Sequence, residues 1–161
     1  MALDRIVEPP RRGLIRRKGS AIFLADRARD AGQWELAVRL YRQALRKNPS
    51  NPAIWVQYGH ALKESGELRY PDKLAQAEIA YRRAVSLDPS AADSHLQLGH
   101  VLKLQGRKEA AEAAYMRAFA INPSMPCPLQ ELSGLGWSEA QIAELVRLVR
   151  RSSQDPSIGL S

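Results

Sequence analysis

Cysteine is almost absent from this chain. The one present, Cys127, sits in Pro126-Cys127-Pro128, which excludes an internal disulfide framework and suits a reducing cytoplasm. No acid–base group stands near it in sequence, so thiol chemistry is not expected. Apolar runs are only a few residues long, too short for a membrane-spanning helix. The N-terminal segment is basic but lacks the apolar core of a secretory signal. Also missing are a glycine-rich phosphate loop, a His-Glu-x-x-His zinc motif and paired cysteines. The expectation is therefore a chain with no catalytic residues, no cofactor and no metal.

What is present looks like an ordinary soluble protein, with 45% hydrophobic and 25% charged residues, enough for one domain of about seven helices. The net charge is +7, and much of it is local. Arg5, Arg11, Arg12, Arg16, Arg17 and Lys18 face only Asp4 and Glu8, so residues 1–17 read as a basic flexible arm. Such an arm could touch nucleic acid or an anionic membrane surface. It lacks interleaved aromatics on which bases could stack.

A spaced series of residues recurs three times. Leu98-Gly99, Leu102, Gly106, Ala111, Tyr115, Ala118 and Pro123 match Tyr58-Gly59, Leu62, Gly66, Ala77, Tyr81, Ala84 and Pro89. An earlier copy reads Leu24-Ala25, Ala28, Gly32, Ala37, Tyr41, Ala44 and Pro49. From Pro89 to Pro123 is 123 − 89 = 34 residues. This pattern resembles the tetratricopeptide (TPR) repeat. The resemblance implies an all-α fold: a right-handed TPR solenoid of three helix-turn-helix repeats over 18–123, with a C-terminal capping helix. The repeats take residues 18–51, 52–91 (with an insertion near 67–76) and 92–125. A connector and capping helix follow over 126–151, then a flexible tail over 152–161.

The residue types fit that geometry. Gly59 and Gly99, with Ala25, remove bulk where paired helices cross, and Ala37, Ala77 and Ala111 do so from the second helix. Ala44, Ala84 and Ala118 thin the surface on which the next repeat docks. Leu24, Tyr58, Leu98 and the three repeat tyrosines fill what remains. Gly32, Gly66 and Gly106 suit left-handed C-caps. The prolines stop the second helices, and Asn51 or Ser50, and Ser90, can cap the next ones. Helices are expected near 20–31, 34–47, 52–65, 71–87, 91–105, 108–121 and 138–151. Ser138 and Gln141 form a capping box for the last, whose stripe of Ile142, Leu145, Val146 and Val149 would close the array's open apolar face. Six extra residues between Gly66 and Ala77 are expected to lengthen the second repeat's second helix by about a turn, with Pro71 in its first turn.

Polar residues also recur. Gln57, His60 and Lys63 match Gln97, His100 and Lys103, at three-residue steps along one face of each first helix. Asp26 and Arg29 hold the histidine and lysine places in the first repeat. His95 replaces Trp55 and is expected to pack as an aromatic. The resemblance places Asp26, Arg29, Gln57, His60, Lys63, Gln97, His100 and Lys103 on a concave peptide-binding groove, with Val56 and Leu96 as its apolar floor. Two histidines are too few for zinc. The Lys/Asn clamp by which co-chaperone TPRs hold a C-terminal carboxylate is not reproduced. Residues 54–66 and 95–106 are similar to TPR arms of bacterial glycosyltransferases. The expected function is a non-catalytic peptide-binding or scaffolding arm linked to such an activity, acting in the cytoplasm. The rivals are a basic adaptor for nucleic acid or membrane, and a small enzyme with an unrecognised site.

Overall fold

The computed structural model describes residues 20–66 and 72–154; the basic arm and the end of the tail lie outside them. Among the described residues are eight helices and no strand. They are α1 (Ala21–Asp30), α2 (Trp34–Lys47), α3 (Pro52–Glu64), α4 (Lys73–Leu87), α5 (Ala92–Leu104), α6 (Lys108–Ile121), α7 (Cys127–Gly134) and α8 (Glu139–Gln154). Neighbours pack as α1 on α2, α3 on α4 and α5 on α6, and each second helix also packs on the next first helix. The result is the all-α solenoid that the repeat implies.

The tyrosines and glycines explain the pairing. Tyr41, Tyr81 and Tyr115 are fully buried, each contributing roughly 2–3 kcal/mol of hydrophobic burial. Room for the rings comes from the facing first helix. A Cβ on Gly59 would stand 2.8 Å from Tyr81 Cε1, and one on Gly99 only 2.5 Å from Tyr115 Cε1. Both are closer than carbon atoms tolerate, so the helix crossing requires glycine there. Ala37, Ala77 and Ala111 are buried on the second helices, and so are Ala44, Ala84 and Ala118.

Turn chemistry repeats as well. Gly32 (φ 67°), Gly106 (φ 75°) and Gly136 (φ 99°) are left-handed. After each, the next backbone N–H returns to the last turn of the helix: Gln33 to Ala28 O, Arg107 to Leu102 O and Trp137 to Leu132 O, at 2.8, 3.0 and 3.1 Å. Gly66 departs from the expectation. α3 ends instead at Ser65, whose backbone is extended, and the Gly66 N–H donates to Glu35 Oε1 at 3.2 Å. Asn51 caps α3 through the Ala53 N–H. Ser90 does not cap α5, because its N–H and hydroxyl both turn back to Asp88 Oδ1.

Three further differences concern element ends. The insertion does not lengthen α4 by a turn: α4 has 15 residues against 14 in α2 and α6. The helix starts at Lys73, so most of the extra chain precedes it, and Pro71 lies outside the described residues. The connector contains the short helix α7, since Pro128 falls in its first turn, where a missing N–H costs nothing. α8 continues to Gln154, past the expected end at 151. The Ser138–Gln141 capping box forms: Gln141 Oε1 accepts from the Ser138 N–H (2.9 Å), and Ser138 Oγ from the Gln141 N–H (3.3 Å). Leu145 and Val149 bury against the core with Leu132, while Ile142 and Val146 are half-covered. Leu24, expected to fill a gap, is 41% exposed. Leu98 at the same repeat position is buried between pairs, whereas no helix among the described residues precedes α1.

Candidate binding groove

The repeated polar residues stand on the first helices α1, α3 and α5, and α3 packs against α5. At the α1 end the side chains are tied together. The Tyr41 hydroxyl donates to Asp26 Oδ1 (2.9 Å) and accepts from Arg29 (3.3 Å). Arg29 also donates to Gln57 Oε1 at 2.8 Å, joining α1 to α3, and to Asp30. Arg29 lies 3.6 Å from Asp26 as an ion pair. This region is a pre-ordered network, with burial pushing the Tyr41 phenol up and Asp26 adding to the effect.

Along α3, His60 stacks edge-on to Trp34 of α2, centroids 5.7 Å apart. Lys63 pairs with Glu64 of its own helix at 3.5 Å. Along α5, the Gln97 amide donates to Asp93 at 3.4 Å. The His100 ring stands edge-on to Tyr115 at 5.7 Å, with Nε2 3.5 Å from Glu131 Oε1 of α7. Lys103 donates to Glu131 Oε2. Asp26, Arg29, Val56, Gln57, His60, Lys63, Gln97 and His100 are all partly exposed, and Lys103 is exposed. Leu96 corrects the expectation: at 6% exposure it is core, not groove floor. α5 packs against α3, α4 and α6.

The histidines are less free than exposed groups would be. Burial lowers the pKa of His60 from 6.5, helped by the Lys63 charge. Burial also lowers His100, against the opposing pull of Glu131. Both are therefore neutral at pH 7, and their rings donate or accept rather than carry charge. His95 packs as its alignment with Trp55 implies. Its Nε2 lies 3.0 Å from Pro89 O, where the Trp55 indole N–H donates to Pro49 O at 2.7 Å. Among the described residues no group of three or more His, Cys, Asp or Glu could hold a metal. No helix there is long and apolar enough to cross a membrane.

Sequence reasoning missed Glu131, Trp34 and the role of Tyr41. Glu131 was hidden because prolines made its segment look like a connector. The signal that could have found α7 is Leu132 with Gly136, which repeats the helix-ending pair Leu102 and Gly106.

Comparison with known proteins gives the fold a family. Three solved structures illustrate the likeness, all below the identity that would carry more than fold. The first TPR of Spaghetti (RPAP3), bound to HSP90 peptide SRMEEVD, has a TM-score of 0.63 at 22% identity, covering 72% of this chain and 90% of that one. The second TPR domain of human RPAP3, in complex with HSP70 peptide SGPTIEEVD, gives 0.66 at 18%, over 74% and 94%. The Yersinia enterocolitica type III secretion chaperone SycD, with a peptide of the translocator YopD, gives 0.59 at 14%, over 83% and 92%. No curated protein sequence matches significantly. The model of the cilia and flagella-associated protein 70 middle TPR-like domain matches residues 22–137, most of the chain. With that match and the helix pairs, glycine crossings and turns described above, this chain belongs to that TPR-like family.

Proposed function

We propose that the protein is a peptide-binding TPR module whose ligand lies along the first helices, over Asp26, Arg29, Gln57, His60, Lys63, Gln97, His100 and Lys103. The observation that carries this is the repetition of Gln57-His60-Lys63 as Gln97-His100-Lys103 on adjacent helices, nearly all of them partly exposed. The peptides named in the RPAP3 and SycD structures support the same kind of ligand. Neutral imidazoles and amides at regular spacing can hydrogen-bond an extended backbone, and the lysines add charge for acidic side chains. Val56, partly covered, offers one apolar contact. No catalytic role is proposed.

The link to a glycosyltransferase rests only on the similarity of residues 54–66 and 95–106 to such arms. Neither the family match nor the solved structures support it. Action in a reducing cytoplasm is proposed with the exposed, unpaired Cys127 in view.

The test is selection from a displayed library of random heptapeptides against the chain and against His60→Ala with His100→Ala. Peptides enriched by the parent should bind the double variant at least about fivefold more weakly, by calorimetry in 150 mM salt. Equal affinity would remove the histidines from the site. Binding that collapses as salt rises and is lost on deleting residues 1–18 would favour the basic adaptor instead.

A further inference from the structure

The lysine and histidine at the third repeat's end of the groove are already engaged. Glu131 projects from α7 so that Lys103 and His100 each address one of its two oxygens. The second repeat's lysine pairs with Glu64, its neighbour in the same helix. A lysine and an imidazole each taking one oxygen is a way of receiving a carboxylate. Burial opposes ionisation of Glu131, but the Lys103 hydrogen bond and the Lys103 and His100 interactions win and hold its carboxyl below the ordinary value. The buried Tyr115 phenol lies beneath, pushed up by burial and by this charge.

We propose that His100 and Lys103 form a carboxylate subsite of the groove, which Glu131 fills in the free protein and an acidic side chain or C-terminal carboxylate of the peptide fills in the complex. This rests on the groove reading above. Glu131 thereby acts as a built-in competitor. Exchange does not require α7 to leave. Leu132 and Pro128 anchor that helix in the core, while Glu131 is 26% exposed and can swing away by a rotamer change. Exchange also favours a ligand that reaches the end of the groove with a carboxylate over one that stops at α3. A partly exposed ion pair holds only weakly, so masking should reduce the apparent affinity by about fivefold, the competent state being the minor one.

The experiment uses the full chain, its Glu131→Gln variant and the same heptapeptide library. Acidic peptides enriched on the parent should bind Glu131→Gln about fivefold tighter. Glu131→Asp, with its shorter reach, should gain less. The gain should vanish when Lys103→Met is added to Glu131→Gln. Comparing each peptide as free acid and amide separates a C-terminal carboxylate from a side-chain one. If the parent enriches nothing, selection on Glu131→Gln decides: enriched acidic peptides support the competitor. Equal or weaker binding by Glu131→Gln, a gain that survives Lys103→Met, or enrichment of peptides without acidic groups would overturn the subsite but leave the groove standing. No enrichment on either protein would overturn both.

Discussion

Replacing Gly99 with alanine adds one methyl group, and the structure says what it meets. The new Cβ would stand 2.5 Å from Tyr115 Cε1, where unstrained carbons sit about 3.5 Å apart. The ring or the helix must therefore retreat by about 1 Å, at a place where Tyr115 is fully buried and its neighbours are close-packed. Overpacking of that kind costs about 1–3 kcal/mol. Against it stands the better helix propensity of alanine, worth about 0.5–1 kcal/mol. The net loss should be on the order of 1–2 kcal/mol, which lowers the melting temperature by about 2–8 °C for a chain of this size. Gly59→Ala, with a 2.8 Å approach to Tyr81, should lose less. Gly134→Ala, with nothing within 4 Å, should lose nothing. Differential scanning calorimetry of the three variants orders them. A Gly99→Ala protein that melts at or above the parent would refute the crossing geometry.

Three other outcomes are expected. Because burial lowers both His60 and His100 below 6.5, the unfolded chain binds more protons than the folded one as pH falls through that range. Stability from these groups is thus complete above about pH 6.5 and is lost on acidification, so Tm should fall between pH 7.5 and 5; a His60→Gln, His100→Gln double variant should flatten the slope, and an unchanged slope would contradict it. Tyr41→Phe should cost about 1–2 kcal/mol through loss of its bonds to Asp26 and Arg29, while Tyr81→Phe, whose buried hydroxyl has no partner among the described residues, should cost little or even stabilise, as urea melts would show. Deleting residues 135–161 removes Leu145 and Val149 from the core cluster that Phe119 and Leu132 share, so the truncated chain should self-associate in sedimentation while keeping most of its helicity; a clean monomer of equal stability would show that α8 caps nothing.

Which parts the sequence disclosed follows from where the information is local. Gly59 and Gly99 were readable because the repeat shows glycine twice where Ala25 stands in the first copy, and the rings of Tyr81 and Tyr115 leave no room for a Cβ there. Gly32 and Gly106 were readable for a similar reason, since their turns need positive φ. Gly66 occupies the same register, yet its helix ends at an extended Ser65 and its N–H goes to Glu35 of another helix. The recurrence of His60 and His100 was plain, but not their company: Trp34 reaches His60 from another helix pair, and Glu131 reaches His100 and Lys103 from a helix that prolines disguised. The TPR resemblance put Leu96 on the groove floor. Its burial depends on how many helices surround α5, which no single-helix pattern records.

The central claim, that the polar line along α1, α3 and α5 is where a peptide binds, is tested most directly by mapping amide chemical shifts. The isotope-labelled chain would be titrated with a library-enriched peptide. The account predicts the largest changes at Asp26, Arg29, Gln57, His60, Lys63, Gln97 and His100, with Glu131 following as it leaves Lys103. Changes centred instead on the outer helices, around Ile79, which is 65% exposed on α4, would contradict it.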